Sequence, residues 1–189
     1  MSEDEELVQA VLARAPGAFE RLVARHQKLV WHMVYRMVQH PEDARELSQD
    51  VFLRVHQNLG QYRFESSLST WIGRVAFNVA GRHLEKKKLP MHEPREGDEE
   101  GEPAWQQVAD AFDLEAACAD HETTQLLQAA IDKLPPLQRT LVALYHLEEM
   151  GIGEIAEVTG QPEGTVKNYL FRARAKLRAT LETKLGVAA

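Results

Sequence analysis

The sequence predicts an all-α protein, and three observations carry that prediction. Apolar residues recur at three- and four-residue intervals along most of the chain, no stretch sustains the period-two alternation of a half-buried strand, and β-branched residues are scattered rather than clustered. At 189 residues the chain suits one domain or two small helical ones.

The first helix, over residues 3–15, rests on Leu7, Val8, Val11 and Leu12 and is ended by Pro16 and Gly17. A second, over residues 18–39, repeats the spacing with Phe19, Leu22, Val23, Leu29, Val30, Met33, Val34 and Met37. Pro41 opens a third over residues 42–59, and Gly60 is placed to terminate it. Its buried stripe is Ala44, Leu47, Val51 and Val55, which turns Asp43, Glu46, Gln49, Asp50, Leu53 and Gln57 outward. An acidic face holding one apolar residue, Leu53, reads as a docking surface for a basic partner.

From Gly60 to Trp71 the chain reads "GQYRFESSLSTW", a polar loop seeded with aromatics and an arginine. Ser67 or Ser69 can cap the following helix, "TWIGRVAFNVAGRHLEKKK", which closes in a lysine cluster. Aromatic rings and amides beside bases suit single-stranded DNA, where stacking contributes roughly 1–3 kcal/mol per base. Trp71 and Phe77 fit a core equally well, whereas Lys86, Lys87 and Lys88 suit phosphates. Residues 89–109 are rich in Pro, Gly, Glu and Asp without apolar period and read as a flexible linker, with Trp105 as a local anchor.

Helix is expected to resume near Leu114 and run to Pro135 and Pro136, where "PLQRTLVALYHLEEM" supplies a core helix through Leu137, Leu141, Leu144 and Tyr145. A short amphipathic segment with Ile152, Ile155 and Ala156 then reaches Gly160, and Pro162 pre-sets the next helix. Val166, Leu170, Ala173, Leu177 and Leu181 fall on one stripe of that helix, leaving Lys167, Arg172, Arg174, Lys176 and Arg178 off it. Two short helices joined by a glycine-containing turn, the second basic, describe a helix-turn-helix that reads DNA.

The net charge of −7 opposes such a role until its distribution is considered. Residues 89–122 hold eleven acids against Arg95, a local −10 that leaves the remainder at +3. Residues 72–88 and 163–185 are each +4, so two basic islands flank one acidic strip, and phosphates meet the islands. An added expectation is that the strip lies against the islands in the free protein. Deleting residues 96–102 would then raise DNA affinity at low salt.

The acidic N-terminus "MSEDEELVQ" differs from a signal peptide, and no 18-residue apolar run exists, so a cytoplasmic protein without membrane contact is expected. Cys118 is the single cysteine, which excludes an internal disulfide. The eight histidines are scattered, and Cys118 with His121 forms an isolated pair, so no metal or other cofactor is expected. Without a glycine-rich phosphate loop or an ordered Ser-His-Asp set, the chain reads as a non-enzyme with no catalytic residue.

Four segments in this order, "DARELSQDVFLRV", "FESSLSTWIGRVAFNVAGRHL", "LPPLQRTLVALYHLEEMGIGEIAEVTG" and "GTVKNYLFRARAKLR", resemble the extracytoplasmic-function (ECF) sigma factors of bacterial RNA polymerase. The resemblance implies two helical domains: region 2 over residues 1–88, an acidic linker over 89–112, and region 4 over 113–189. It implies that Asp43, Glu46, Gln49, Asp50 and Leu53 contact core polymerase. It implies that Tyr62, Arg63, Phe64, Ser66, Ser67, Trp71, Asn78, Lys86, Lys87 and Lys88 melt and hold the minus-10 element, capturing a flipped base. Thr165, Lys167, Asn168, Phe171, Arg172 and Arg174 would read the minus-35 element. Core RNA polymerase, promoter DNA and an anti-sigma factor are the implied partners. Phe77 before Asn78, Arg82 where the family has an acid, Tyr169 where it commonly has arginine, and Phe171 depart from the family pattern and obscure the promoter sequence. The alternative is a helix-turn-helix regulator whose N-terminal helices sense a signal; a homodimer on a palindrome would favour it.

Overall fold

A computed structural model describes residues 2–91 and 121–186, and all of their regular structure is helical. The acidic linker, Trp105, Cys118, the helix start near Leu114 and the expected masking by the strip lie outside the described residues, as does the His121 side chain.

Helix α1 (Glu3–Leu12) starts in a capping box: Ser2 Oγ accepts from Glu5 N at 3.2 Å, and Glu5 Oε2 accepts from Ser2 N at 2.7 Å. Gly17, at φ 73°, turns the chain into α2 (Ala18–Val38). Helix α3 (Pro41–Asn58) has proline at its first position and His40 as its cap, with Nδ1 accepting from Asp43 N at 3.3 Å. One 3-10 turn (Leu59–Gln61) and a short loop lead to α4 (Leu68–Lys86), where Ser67 Oγ accepts from Thr70 N at 3.1 Å. The second described stretch holds α5 (His121–Asp132), α6 (Pro136–His146), α7 (Ile152–Thr159) and α8 (Glu163–Leu185). Gly160, at φ 69°, makes the turn between the last two.

Helices α1 to α4 pack around Leu22, Met33, Val51 and Ile72, and α5 to α8 around Leu137, Leu141, Ile155 and Leu170. The two groups also pack on each other, α6 along α2 and α7 across α4, so that one apolar cluster runs from Val8 to Leu181. Such docking explains why α6 buries eight successive residues, Leu137 to Leu144, three of them polar or charged. A helix buried on all sides needs neighbours on all sides, and α2 supplies the face that its own group leaves open.

Arg139 is the polar centre of this junction. Its Nε donates to Arg36 O (2.7 Å) and Nη2 to Met37 O (3.2 Å), carbonyls of the last turn of α2. Its Nη1 donates to Asp132 O (3.2 Å) and Leu134 O (2.6 Å) at the end of α5. One guanidinium thus caps two helix C-termini from different groups, where orphan carbonyls and the helix dipole both favour a cation. Burial lowers its pKa to about 10, against the opposing pull of Asp132, and it stays charged at neutral pH.

Candidate nucleic-acid and polymerase surfaces

Helix α3 is amphipathic as its spacing predicts: Ala44, Leu47, Val51 and Val55 are buried, while Glu46, Gln49, Asp50 and Leu53 are exposed. Leu53, at 59% exposure, stands uncovered among these acids. Asp43 lies at the edge of this face and turns toward α4. Its Oδ2 accepts from Lys87 Nζ and sits 3.2 Å from His83 Nε2. The Lys87 hydrogen bond is the main cause holding the Asp43 carboxyl below the ordinary carboxylate range. Asp43 and Lys87 therefore pin the start of α3 to the end of α4, which leaves Lys86 and Lys88 as the unpinned members of the lysine cluster.

The loop before α4 separates its aromatics by depth. Tyr62 is buried, its hydroxyl donating to Ser66 O at 2.6 Å, and burial raises its pKa. Its ring centroid lies 4.5 Å from Phe64 and 5.4 Å from half-buried Trp71. Phe64 is 39% exposed and adopts φ 59°, a left-handed backbone that costs a non-glycine residue energy and presents the ring outward. Arg63 and Ser67 are exposed and Ser66 half-buried, whereas Phe77 belongs to the core. Arg74, absent from the sequence-based set, lies between Trp71 and Asn78 at spacings of three and four, so the three residues share one face of α4. Together with Tyr62, Arg63 and Ser66 it lines a cleft whose far wall is Glu157 of α7. The signal that would have found it is that same spacing.

In α8 the predicted stripe of Val166, Leu170, Ala173, Leu177 and Leu181 is buried throughout. Thr165, Lys167, Asn168 and Phe171 are half-buried along its first turns, and Arg172 is exposed. Arg174 is drawn toward α6: its guanidinium carbon lies 5.1 Å from the Tyr145 ring centroid and its Nη2 3.5 Å from His146 Nε2. This contact orients α8 on α6, a positioning role that the sequence did not suggest. Among the described residues no group of three His, Cys, Asp or Glu is arranged to hold a metal ion, and no helix is long and apolar enough to cross a membrane.

Residues 22–89, spanning α2 to α4, match the Sigma-70 region 2 family model, and residues 124–177 match Sigma-70, region 4. The chain is 31% identical to the ECF RNA polymerase sigma factor SigW of Bacillus subtilis over 166 residues, covering 87% of this chain and 89% of SigW. The chain belongs to the ECF family of RNA polymerase sigma factors. The RNA polymerase sigma-H factor of Pseudomonas aeruginosa is 29% identical over 97% of the chain and 96% of its own length. In fold, this sigma factor is similar to CnrH, solved in complex with the cytosolic domain of CnrY (TM-score 0.66, 22% identity, 96% of this chain and 99% of CnrH covered). It is also similar to the sigma factor RpoE of Bartonella quintana, solved with the anti-sigma factor NepR (TM-score 0.63, 16% identity, covering 88% and 98%). As an ECF sigma factor the chain is a regulatory DNA-binding protein that directs transcription initiation from promoters.

Proposed function

We propose that this sigma factor divides its work as region 2 over residues 1–88, an acidic linker over 89–112 and region 4 over 113–189. The acidic face of α3, Glu46, Gln49, Asp50 and Leu53 with Asp43 at its edge, docks on core RNA polymerase. The loop and α4 melt the minus-10 element, and the start of α8 reads the minus-35 element. The chain acts in the cytoplasm as a specificity subunit and performs no catalysis itself. The observation that supports this reading best is the cleft beside Trp71. It combines exposed Arg63 and Arg74 for phosphates, the Trp71 ring for stacking and the Gln61 and Ser66 side chains for a base edge, with the exposed Phe64 ring beside Tyr62 and Asn78 one turn beyond Arg74 on α4. Extruding a base costs a few kcal/mol, which stacking at about 1–3 kcal/mol per base and hydrogen bonds to its edge can offset. In region 4, one good bidentate contact to a base would discriminate by about 1–3 kcal/mol.

Residues 89–109 of the linker reach roughly 70 Å when extended, about two duplex turns at 34–36 Å each, so both regions can engage one promoter. The solved neighbours are held by CnrY and by the anti-sigma factor NepR, which supports an anti-sigma partner here as well. Run-off transcription with core polymerase on a promoter library tests the whole reading. Sequence-dependent initiation is expected, and a protein that binds core yet directs no initiation would refute it.

A further inference from the structure

Helix α1 lies outside the residues matched by the region 2 model, which begins at residue 22, yet one of its side chains reaches the start of α4. The first turn of α4 contains no acidic residue, and Ser67 Oγ accepts from the amide of Thr70. The amide at the first position of that helix, Leu68 N, donates instead to Asp4 Oδ2 at 3.4 Å, across 64 residues of chain. The second oxygen, Asp4 Oδ1, lies 3.4 Å from Arg25 Nη2 of α2, which also donates to Glu3 Oε2 at 3.2 Å. One carboxylate thus joins α2 to the N-terminus of α4, where orphan amides and the helix dipole favour an anion. Its own place is fixed from behind, because Ser2 and Glu5 cap α1 reciprocally and Val8 and Val11 bury that helix against the core.

Leu68 is fully buried and follows directly on the loop that holds Arg63, Phe64 and Ser66. Because the peptide unit is planar, the orientation of the Leu68 amide also sets the direction from which Ser67 enters the helix. Within the loop the Tyr62 hydroxyl donates to Ser66 O at 2.6 Å, and Phe64 keeps a left-handed φ of 59° that persists only where the surroundings over-determine it. After burial, the charges of Asp4 and Glu5 add to the raising of the Tyr62 pKa, so the carboxylates of α1 act on the buried side of the same loop. We propose that Asp4 is a positioning residue for promoter opening: acting through the Ser67–Leu68 peptide, it holds the loop beside Trp71 in the geometry that receives an extruded base. The inference rests on the minus-10 reading of that loop. A receiving pocket that is already ordered gives up little conformational freedom when the base enters, so the tether acts on the opening step and not on docking to core polymerase.

Full-length variants test this: Asp4→Ala removes the tether, Asp4→Glu keeps the carboxylate, and Glu6→Ala removes an exposed acid from the same first turn of α1. In the free protein, hydrogen exchange read by mass spectrometry should quicken about fivefold across residues 62–68 in Asp4→Ala, the size expected for losing a carboxylate at a partly buried helix N-terminus. Exchange in α3 and α8 should keep its wild-type rate. In the holoenzyme, a promoter recovered from the run-off library and carrying 2-aminopurine in the minus-10 non-template strand should open about fivefold more slowly with Asp4→Ala. Glu6→Ala should open it at the wild-type rate and Asp4→Glu should recover most of the loss, with core binding unchanged in each. Unaltered exchange across residues 62–68, unaltered opening by Asp4→Ala, equal slowing by Glu6→Ala, or a loss of core affinity as large as the loss of opening rate would each overturn the positioning role. Wild-type protein that binds core and opens no promoter, while Asp4→Ala still quickens exchange in the loop, would instead refute the minus-10 reading, so the two failures are distinct.

Discussion

His26 shows how a single buried group sets a pH dependence. It is 3% exposed on the inner side of α2, its Nε2 has no hydrogen-bond partner, and burial lowers its pKa below 6.5 against the opposing charge of Asp4. At high pH the imidazole is neutral in both folded and unfolded chains. As pH falls through about 6.5, the unfolded chain binds the proton first, so native stability must decline as the solution is acidified. The urea midpoint of the wild type should therefore fall between about pH 7.5 and about pH 5.5, and His26→Met should lose part of that fall. Identical slopes in the two proteins would show that His26 is not its source. Leu53 makes the opposite case, a large apolar side chain left 59% exposed, for which we propose core polymerase as the partner. Leu53→Asp should leave stability within about 0.5 kcal/mol and weaken binding to core polymerase roughly tenfold or more, since a buried apolar anchor contributes on the order of 1.4 kcal/mol or more. Surface plasmon resonance with immobilised core checks the second figure, and a thermal melt the first.

At the level of elements, helix α8 has a buried stripe and an exposed side, and we propose that the exposed side reads DNA. Leu170 is 2% exposed and faces the core, so Leu170→Ala should cost about 2–5 kcal/mol of stability through the cavity it leaves. Arg172, exposed on the opposite side of the same turn, should leave the melting temperature unchanged when replaced by alanine yet reduce affinity for duplex promoter DNA and flatten its salt dependence by about one phosphate contact. If Arg172→Ala instead lowered stability as Leu170→Ala does, the division of the helix into two faces would be wrong. That division was legible in the sequence because a 3.6-residue period reports which residues share a face. The stripes of α3 and α8 were accessible for the same reason, whereas Pro41, Pro162 and Gly160 mark boundaries through their backbone preferences and the cap of α4 was narrowed only to Ser67 or Ser69. Periodicity does not report which face meets which. It therefore missed the docking of α7 on α4, the all-round burial of α6, which takes in Gln138, Arg139 and Thr140 beside the expected Leu137, Leu141 and Leu144, and the inward turn of Asp43 toward Lys87. Arg74 was overlooked because a lone arginine between apolar residues resembles any solvated helix position.

Across the whole molecule, Arg139 hydrogen-bonds to both halves, and we predict that it couples their unfolding. Its guanidinium donates to two carbonyls at the end of α2 and two near the end of α5. Hydrogen bonds from a charged donor contribute roughly 1.5–3 kcal/mol each, and buried carbonyls left without a donor carry their own desolvation cost. Arg139→Met preserves apolar length but removes all four bonds, so a loss on the order of 3 kcal/mol or more is expected. The location of the effect discriminates more sharply than its size. Trp31 and Trp71 both lie in the N-terminal half, and Trp31 stacks on Tyr35 one turn before the carbonyls that Arg139 caps. In a Trp105→Phe background, tryptophan fluorescence therefore reports only that half. If Arg139 couples the halves, a substitution in α6 must lower the urea midpoint of Trp31 and Trp71 fluorescence along with that of total helicity. If the halves fold independently, the fluorescence midpoint will stay in place while helicity alone shifts, and the shared core from Val8 to Leu181 would then contribute nothing to cooperativity.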